Sequence, residues 1–308
     1  MTISPSFLEQ LGPFLEVLLG GLMSGVLYAL VALGFVLIFK ASGVFNFAQG
    51  AMVLFAALSL VRIAEVLPLP LAFLAAVAVM IGVAFAIERL VLRPLVGQHA
   101  LILFMATIGV TFFLDGFGQM VWGASAYTLD LGVSGNPWFI LEGTFPGGIL
   151  LSPLDVFAAV VAGALVAGLS VFFHTTKIGR ALRAVADDHQ AAQSVGIPLN
   201  YIWLIVWSAA GVVALVAGMA WGAKLGVQFS LASVALKALP VLILGGLTSI
   251  PGAIVGGLIV GAGEKLAEVY VGPSLGGGIE NWFAYVLALA VLLVRPQGLF
   301  GERIIERV

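Results

Sequence analysis

Cysteine is absent from the 308 residues, so neither a disulfide framework nor a thiolate metal ligand or nucleophile is available. Charge is nearly as scarce. Asp, Glu, Lys and Arg make up 9% of the chain, against about 25% in ordinary soluble domains. A soluble fold with so little charge could not cover its surface. The net charge of −2 leaves no basic footprint for nucleic acid. Phosphate-binding and metal motifs are also missing. Gly261-Ala262-Gly263-Glu264-Lys265 lacks the Gly-Lys-Ser/Thr ending that cradles ATP phosphates. There is no His-Glu-x-x-His, and His99, His174 and His189 are far apart in sequence. No bound cofactor or metal is therefore expected. Residues 1–12 carry Glu9 and no basic residue, so a cleaved signal peptide is not expected either.

What the sequence does contain is apolar length. It is 62% hydrophobic, with a mean hydropathy of +1.18. A membrane-crossing helix needs about 20 mostly apolar residues. Charge-free runs cover 17–39, 41–61, 66–87, 94–114, 156–176, 189–223, 238–263 and 281–294. The run from 189 opens polar, which places its membrane part near 201–222. Thr248-Ser249-Ile250-Pro251-Gly252 interrupts the run from 238, because a Ser/Pro/Gly cluster ends a helix. The division gives segments 233–247 and 252–270. The expected fold is an all-α polytopic membrane protein, one domain over residues 1–308. It is a bundle of about eight or nine transmembrane helices with broken or re-entrant segments.

Basic residues concentrate in cytoplasmic loops. With the C-terminus cytoplasmic, Lys40, Arg89, Arg93, Lys177, Arg180, Arg183, Arg295, Arg303 and Arg307 fall inside, and Arg62, Lys224, Lys237 and Lys265 outside. An external loop is expected at about 115–150, where 115–141 holds two acids and no Lys or Arg. Charges fall at segment ends, with Lys237 free to snorkel outward, so the bundle interior reads as neutral. Ion-coupled carriers usually keep ionisable groups within the membrane. A neutral route suits a conduit powered from elsewhere or a passive small-solute channel, and an ion-coupled secondary carrier stays open as the alternative.

Glycines recur at four-residue spacing: Gly21/Gly25, Gly218/Gly222, Gly252/Gly256 and Gly257/Gly261. This spacing lets membrane helices approach closely, so packing is their expected role. The polar residues inside the segments are mild. Ser24, Tyr28, Asn46, Gln49, Thr107 and Thr248 are candidates for the translocation pathway, since amides and hydroxyls in hydrocarbon must face protein or water. Interhelical hydrogen bonding is the plainer role for them. Asn46–Val53 and Thr248–Val255 both read as a polar break followed by Gly-Ala-x-Val, and paired interruptions mark substrate routes in transporters.

The distinctive polar element is the loop 177–198. Ala, Leu, Arg and Gln favour helix there, and Gly196 with Pro198 supplies the stop. Its apolar stripe is partial, and it mixes two acids with its arginines. That mixture favours a protein groove over a lipid surface.

Arg-Ala-x-Ala-x-Asp and Ala-Ala-x-x-x-Gly-Ile-Pro within 181–198 resemble the coupling loop of ABC importer permeases, and in particular those of the branched-chain amino acid (LivH-type) family. Residues 24–34 with Phe45-Asn46-Phe47-Ala48-Gln49-Gly50 are similar to that family's N-terminal signature. Lys237-Ala238-Leu239-Pro240-Val241, Leu244-Gly245-Gly246-Leu247 and Ile250-Pro251-Gly252-Ala253 resemble its C-terminal one, and 295–301 its close. The resemblance implies a permease subunit in the bacterial inner membrane. Its partners would be a second homologous permease, two cytoplasmic ATPases that use ATP and Mg, and an external substrate-binding protein. The cargo would be branched-chain or other neutral amino acids, or a small amide such as urea. Gly179–Gly196 would then dock in an ATPase groove. Arg180, Arg183, Asp187 and Asp188 would make polar contacts, and Leu182 and Val185 would be apolar anchors. Asp187 and Asp188 are the nearest acids to the Glu of the general coupling-loop pattern.

Overall fold

The computed structural model describes residues 5–301 apart from 96, 146 and 188. Asp188, Arg303 and Arg307 thus lie outside the described residues. Helix α1 (Pro5–Ser42) is followed by α2 (Gln49–Ala64) and α3 (Leu69–Ala86). A π-helical turn (Ile87–Leu92) and a short 3-10 turn (Arg93–Leu95) extend α3, and α4 (Ala100–Trp122) comes next. Strands β1 (Trp138–Ile140) and β2 (Ile149–Leu151) form an antiparallel hairpin. Then come α5 (Pro153–Thr175), α6 (Lys177–Asp187), α7 (His189–Ser194) and α8 (Leu199–Leu225). A 3-10 turn (Phe229–Ser233) leads into α9 (Val234–Gly245), followed by α10 (Ile250–Tyr270), the single turn α11 (Gly272–Leu275) and α12 (Phe283–Val294).

Among the described residues six helical stretches are long and apolar enough to cross a membrane: Leu11–Ser42, Leu69–Leu95, Leu101–Trp122, Pro153–Thr175, Leu199–Leu225 and Ile250–Tyr270. Three apolar helices are shorter: Gln49–Ala64, Phe229–Gly245 and Phe283–Val294. These correspond to the nine apolar segments of the sequence. The second segment is cut short because Gly43, at φ +68°, stops α1 and residues 43–48 are irregular. The loop expected to begin near residue 115 begins after Trp122, and the β-hairpin inside it departs from an all-α fold. Charge alone marked Asp115 as a loop residue, whereas the helix continues two turns beyond it. The break between α9 and α10 lies where the Ser/Pro/Gly cluster placed it. Ser249 Oγ accepts from Gly252 N at 3.0 Å and caps α10. The chain's end closes the other side of this break, with Leu299 N donating to Leu244 O and Phe300 N to Gly245 O.

The core forms around α1, which is buried almost throughout Leu27–Ile38 and packs against α10, α8, α5 and α9. Its tightest neighbour is α10. A Cβ added at Gly25 would lie 2.5 Å from Gly257 O, and one at Gly21 would lie 2.8 Å from Gly261 O. A Cβ at Gly257 would meet Gly25 O at 2.6 Å. The four-residue glycine spacing therefore serves backbone-to-backbone approach, and Gly218 does the same between α8 and Val53 O of α2. Lipid tails are as apolar as leucine, so dispersion across such contacts replaces the hydrophobic effect that drives soluble folding. Gly25→Ala should lower stability by about 1–3 kcal/mol through overpacking. Gly20→Ala, where nothing lies within 4 Å, should be neutral or gain up to about 1 kcal/mol. Thermal unfolding of the detergent-purified variants checks both.

Candidate functional site

Asn46, Gln49 and Thr107 come together at the elbow between α1 and α2, and all three are buried. Ala48 N donates to Asn46 Oδ1 at 3.0 Å, and Asn46 Nδ2 donates to Gln49 Oε1 at 3.4 Å. Phe47 N donates to Thr107 Oγ1 at 3.2 Å, so α4 holds the elbow from across the bundle. Gln49 lies over Gly34 of α1, where a Cβ would collide with its amide nitrogen. That nitrogen is buried without a hydrogen-bond partner. Beside the elbow run the rings of Phe35, Phe45, Phe47 and Phe104, with successive centroids 4.9–5.0 Å apart. A cavity of about 300 Å³ opens next to them, lined by Phe35, Phe45, Phe47, Gly50, Ala51, Thr111 and residues of α9 and its preceding 3-10 turn. An irregular buried backbone beside an apolar cavity is the arrangement that broken membrane helices use where they line a route.

Tyr28 lies elsewhere, in a polar seam that the sequence did not reveal. Lys237 Nζ of α9 and Glu264 Oε1 of α10 form an ion pair at 3.1 Å, and Tyr28 OH donates to the same oxygen at 3.3 Å. Trp221 stacks on Tyr28 with centroids 5.4 Å apart, and Lys224 Nζ sits 5.5 Å from the Trp221 ring while pairing with Asp155 at 2.7 Å. Glu264 is only 2% exposed, and it lies about 21 Å along the axis from the start of α10. The interior is therefore not neutral. Lys237, expected to snorkel outward, instead pairs with a carboxylate one helix away. Glu88, in the π-helical turn, is buried as well. Ser24 is buried one turn before Tyr28 on α1.

Thr248 belongs to neither group. Its carbonyl accepts from Lys40 Nζ at 3.4 Å, at the end of the bundle that carries α6. Helix α6 doubles back from α5 at a tight corner. Thr176 Oγ1 accepts from Gly179 N at 3.2 Å, Arg183 Nη1 donates to Phe173 O at 2.7 Å, and a Cβ on Gly179 would collide with Phe173 O. Leu182 and Val185 are 2% and 0% exposed. They are inserted into this chain's own core, since α6 packs on α5, α1 and α8. The anchors expected to enter a partner therefore face inward, because the nearest apolar surface for the stripe is the bundle itself. Arg180 and Asp187 stay exposed, as do Gly196, at φ +85°, and Val195, which is 75% exposed.

The cations divide by end. Arg62, Lys224, Lys237 and Lys265 each form an ion pair, with Glu65, Asp155, Glu264 and Glu280. Lys40, Arg89, Arg93, Lys177, Arg180, Arg183 and Arg295 have no carboxylate partner among the described residues.

A bundle of long apolar helices, one broken beside a cavity, has the architecture of a membrane transport component. The sequence model of the family described as branched-chain amino acid transport system / permease component matches residues 17–295, and the chain belongs to that family. It is 32% identical to the high-affinity branched-chain amino acid transport system permease protein BraD of Pseudomonas aeruginosa, over 96% of this chain and 98% of that one. It is 28% identical to the corresponding protein LivH of Salmonella typhimurium, over 97% and 99%. A probable branched-chain amino acid transport permease protein LivH of Methanocaldococcus jannaschii is 30% identical over 92% of each chain. These relatives are named as permeases of transport systems, not as enzymes.

Lys237→Met should destabilise the protein by about 3–5 kcal/mol by leaving Glu264 charged and unpaired. Adding Glu264→Gln should recover most of that loss. A double-mutant thermal-unfolding cycle in detergent reads the coupling, and additive effects would show that the pair does not interact.

Proposed function

We propose that this chain is the membrane-spanning permease subunit of an ATP-driven ABC importer for branched-chain or other neutral amino acids. It sits in the cytoplasmic (inner) membrane with α6 and the C-terminus on the cytoplasmic side. The observation that carries the reading is family membership across 17–295, in a chain whose α6 is fastened to the bundle by its buried face and leaves Arg180 and Asp187 exposed. ATP and Mg act on two ATPase partners, a second homologous permease completes the pathway, and an external binding protein delivers the cargo. The unpaired cations at the α6 end support that orientation, because cytoplasmic ends carry excess Lys and Arg. The phenylalanine-lined cavity beside Asn46, Gln49 and Thr107 suits an aliphatic side chain; urea or another small amide would use the amides alone.

In this reading the α6 corner transmits the ATPase motion through the face that remains free. Gly179, Leu182, Arg183 and Val185 fasten α6 to the bundle, while Arg180, Asp187 and the Val195–Gly196 turn meet the partner. Asp188 is assigned the same polar role from sequence. A second reading, an ion-coupled carrier, gains from the buried Glu264. Reconstitution in liposomes separates the two. Uptake should require both ATPases and ATP, and uptake by this chain alone would overturn the importer reading. Arg180→Glu combined with Asp187→Lys should abolish transport with normal insertion and stability. Leu182→Ala should instead lower stability by about 2–5 kcal/mol, read by thermal unfolding.

A further inference from the structure

A second cavity, of about 120 Å³, lies at the α6 end, where α1 stops, α10 starts and α5 turns into α6. Lys40, Arg183, His174, Phe300 and the Thr248–Ser249–Ile250 start of α10 line it, and among the described residues no carboxylate does. Among the described residues Lys40 and Arg183 reach only carbonyl oxygens, those of Thr248 and Phe173, and neither meets a carboxylate. Two uncompensated cations therefore converge with the N-terminus of a 21-residue helix, whose dipole adds positive potential. The arginine fork and the compact lysine ammonium are complementary to a tetrahedral oxyanion. Helix α1 ends and α10 starts at this level, which in the orientation proposed above is the level of the cytoplasmic phospholipid headgroups.

We propose that this cavity binds a phosphate group, carried by an anionic phospholipid or free in solution. Bound there, the anion bridges α1, the α5–α6 corner and α10, and locks the corner to the bundle. The proposal does not rest on ATPase coupling. A chain that binds phosphate but transports without ATPases would keep this inference and lose the importer reading.

The test uses the full chain, purified in detergent and stripped of lipid. It is titrated at constant ionic strength with short-chain phosphatidylglycerol and with inorganic phosphate. Thermal stability reads binding of either, and native mass spectrometry reads retained lipid. Wild type should show a saturable rise in Tm. Lys40→Gln should weaken the affinity on the order of fivefold, as loss of one headgroup-level cation does, and Lys40→Arg should retain it. A response to phosphatidylglycerol but not to phosphate assigns the headgroup as the source, and an equal response to phosphate assigns the free anion. If Lys40→Gln does not fold, His174→Phe at the exposed rim, which removes a ring hydrogen-bond donor, should also weaken the affinity, by less than loss of the lysine. No saturable response to either probe, or equal responses in wild type and the folded variant, would overturn the proposal. So would a Lys40→Gln effect confined to co-purification with an ATPase, which would make the occupant an acidic protein side chain.

Discussion

The glycine contact between α1 and α10 is the constraint on which the rest of the bundle depends. Gly21 and Gly25 face Gly257 and Gly261 with no room for side chains between them. In hydrocarbon, helix association has to come from close packing, interhelical hydrogen bonds and lipid entropy. Once these two backbones meet, the opposite faces of α1 are free to be covered by α8, α5 and α9, which leaves Leu27–Ile38 almost wholly buried. The same approach sets Tyr28 against Glu264. It also brings Lys40 to the loop before α10. The polar seam and the basic cavity are thus consequences of one packing contact.

Charge is distributed to match. At one end, and in the seam that reaches inward from it, each lysine or arginine meets a carboxylate. At the α6 end the cations have no carboxylate partner among the described residues. Compensated pairs can sit near or within hydrocarbon because they remove net charge, whereas uncompensated cations need water, anionic headgroups or a partner. The asymmetry thus distinguishes the two ends of the bundle, and it underlies both the proposed orientation and the proposed anion site.

Helix α6 shows how one amphipathic pattern can be read in two directions. Its apolar stripe suggested docking into a partner, yet Leu182 and Val185 close onto the bundle. A helix held this way stays tied to α5, α1 and α8 whatever meets its exposed face. On α6 Lys177, Arg180 and Asp187 stay exposed, as does Val195 beyond α7.

Composition and run lengths alone determined the membrane class, the nine apolar segments and the break before Ile250, since each follows from local chemistry: apolar length, and a Ser-Ile-Pro-Gly stop. The role of the spaced glycines was legible for the same reason. Asn46, Gln49 and Thr107 could be singled out because buried amides and hydroxyls are rare in hydrocarbon, but only the fold joined Thr107 to Asn46 across some 60 residues and separated Thr248 from both. The Lys237–Glu264 pair was out of reach of sequence reading. Each residue lies near a segment end and looks solvated alone, and burial depends on which helix packs beside it. Local propensity determines where helices start and stop. The pairing of distant charges, the inward turn of Leu182 and Val185, and the basic cavity at the α6 end were decided by tertiary packing, because each requires surfaces from helices far apart in the chain.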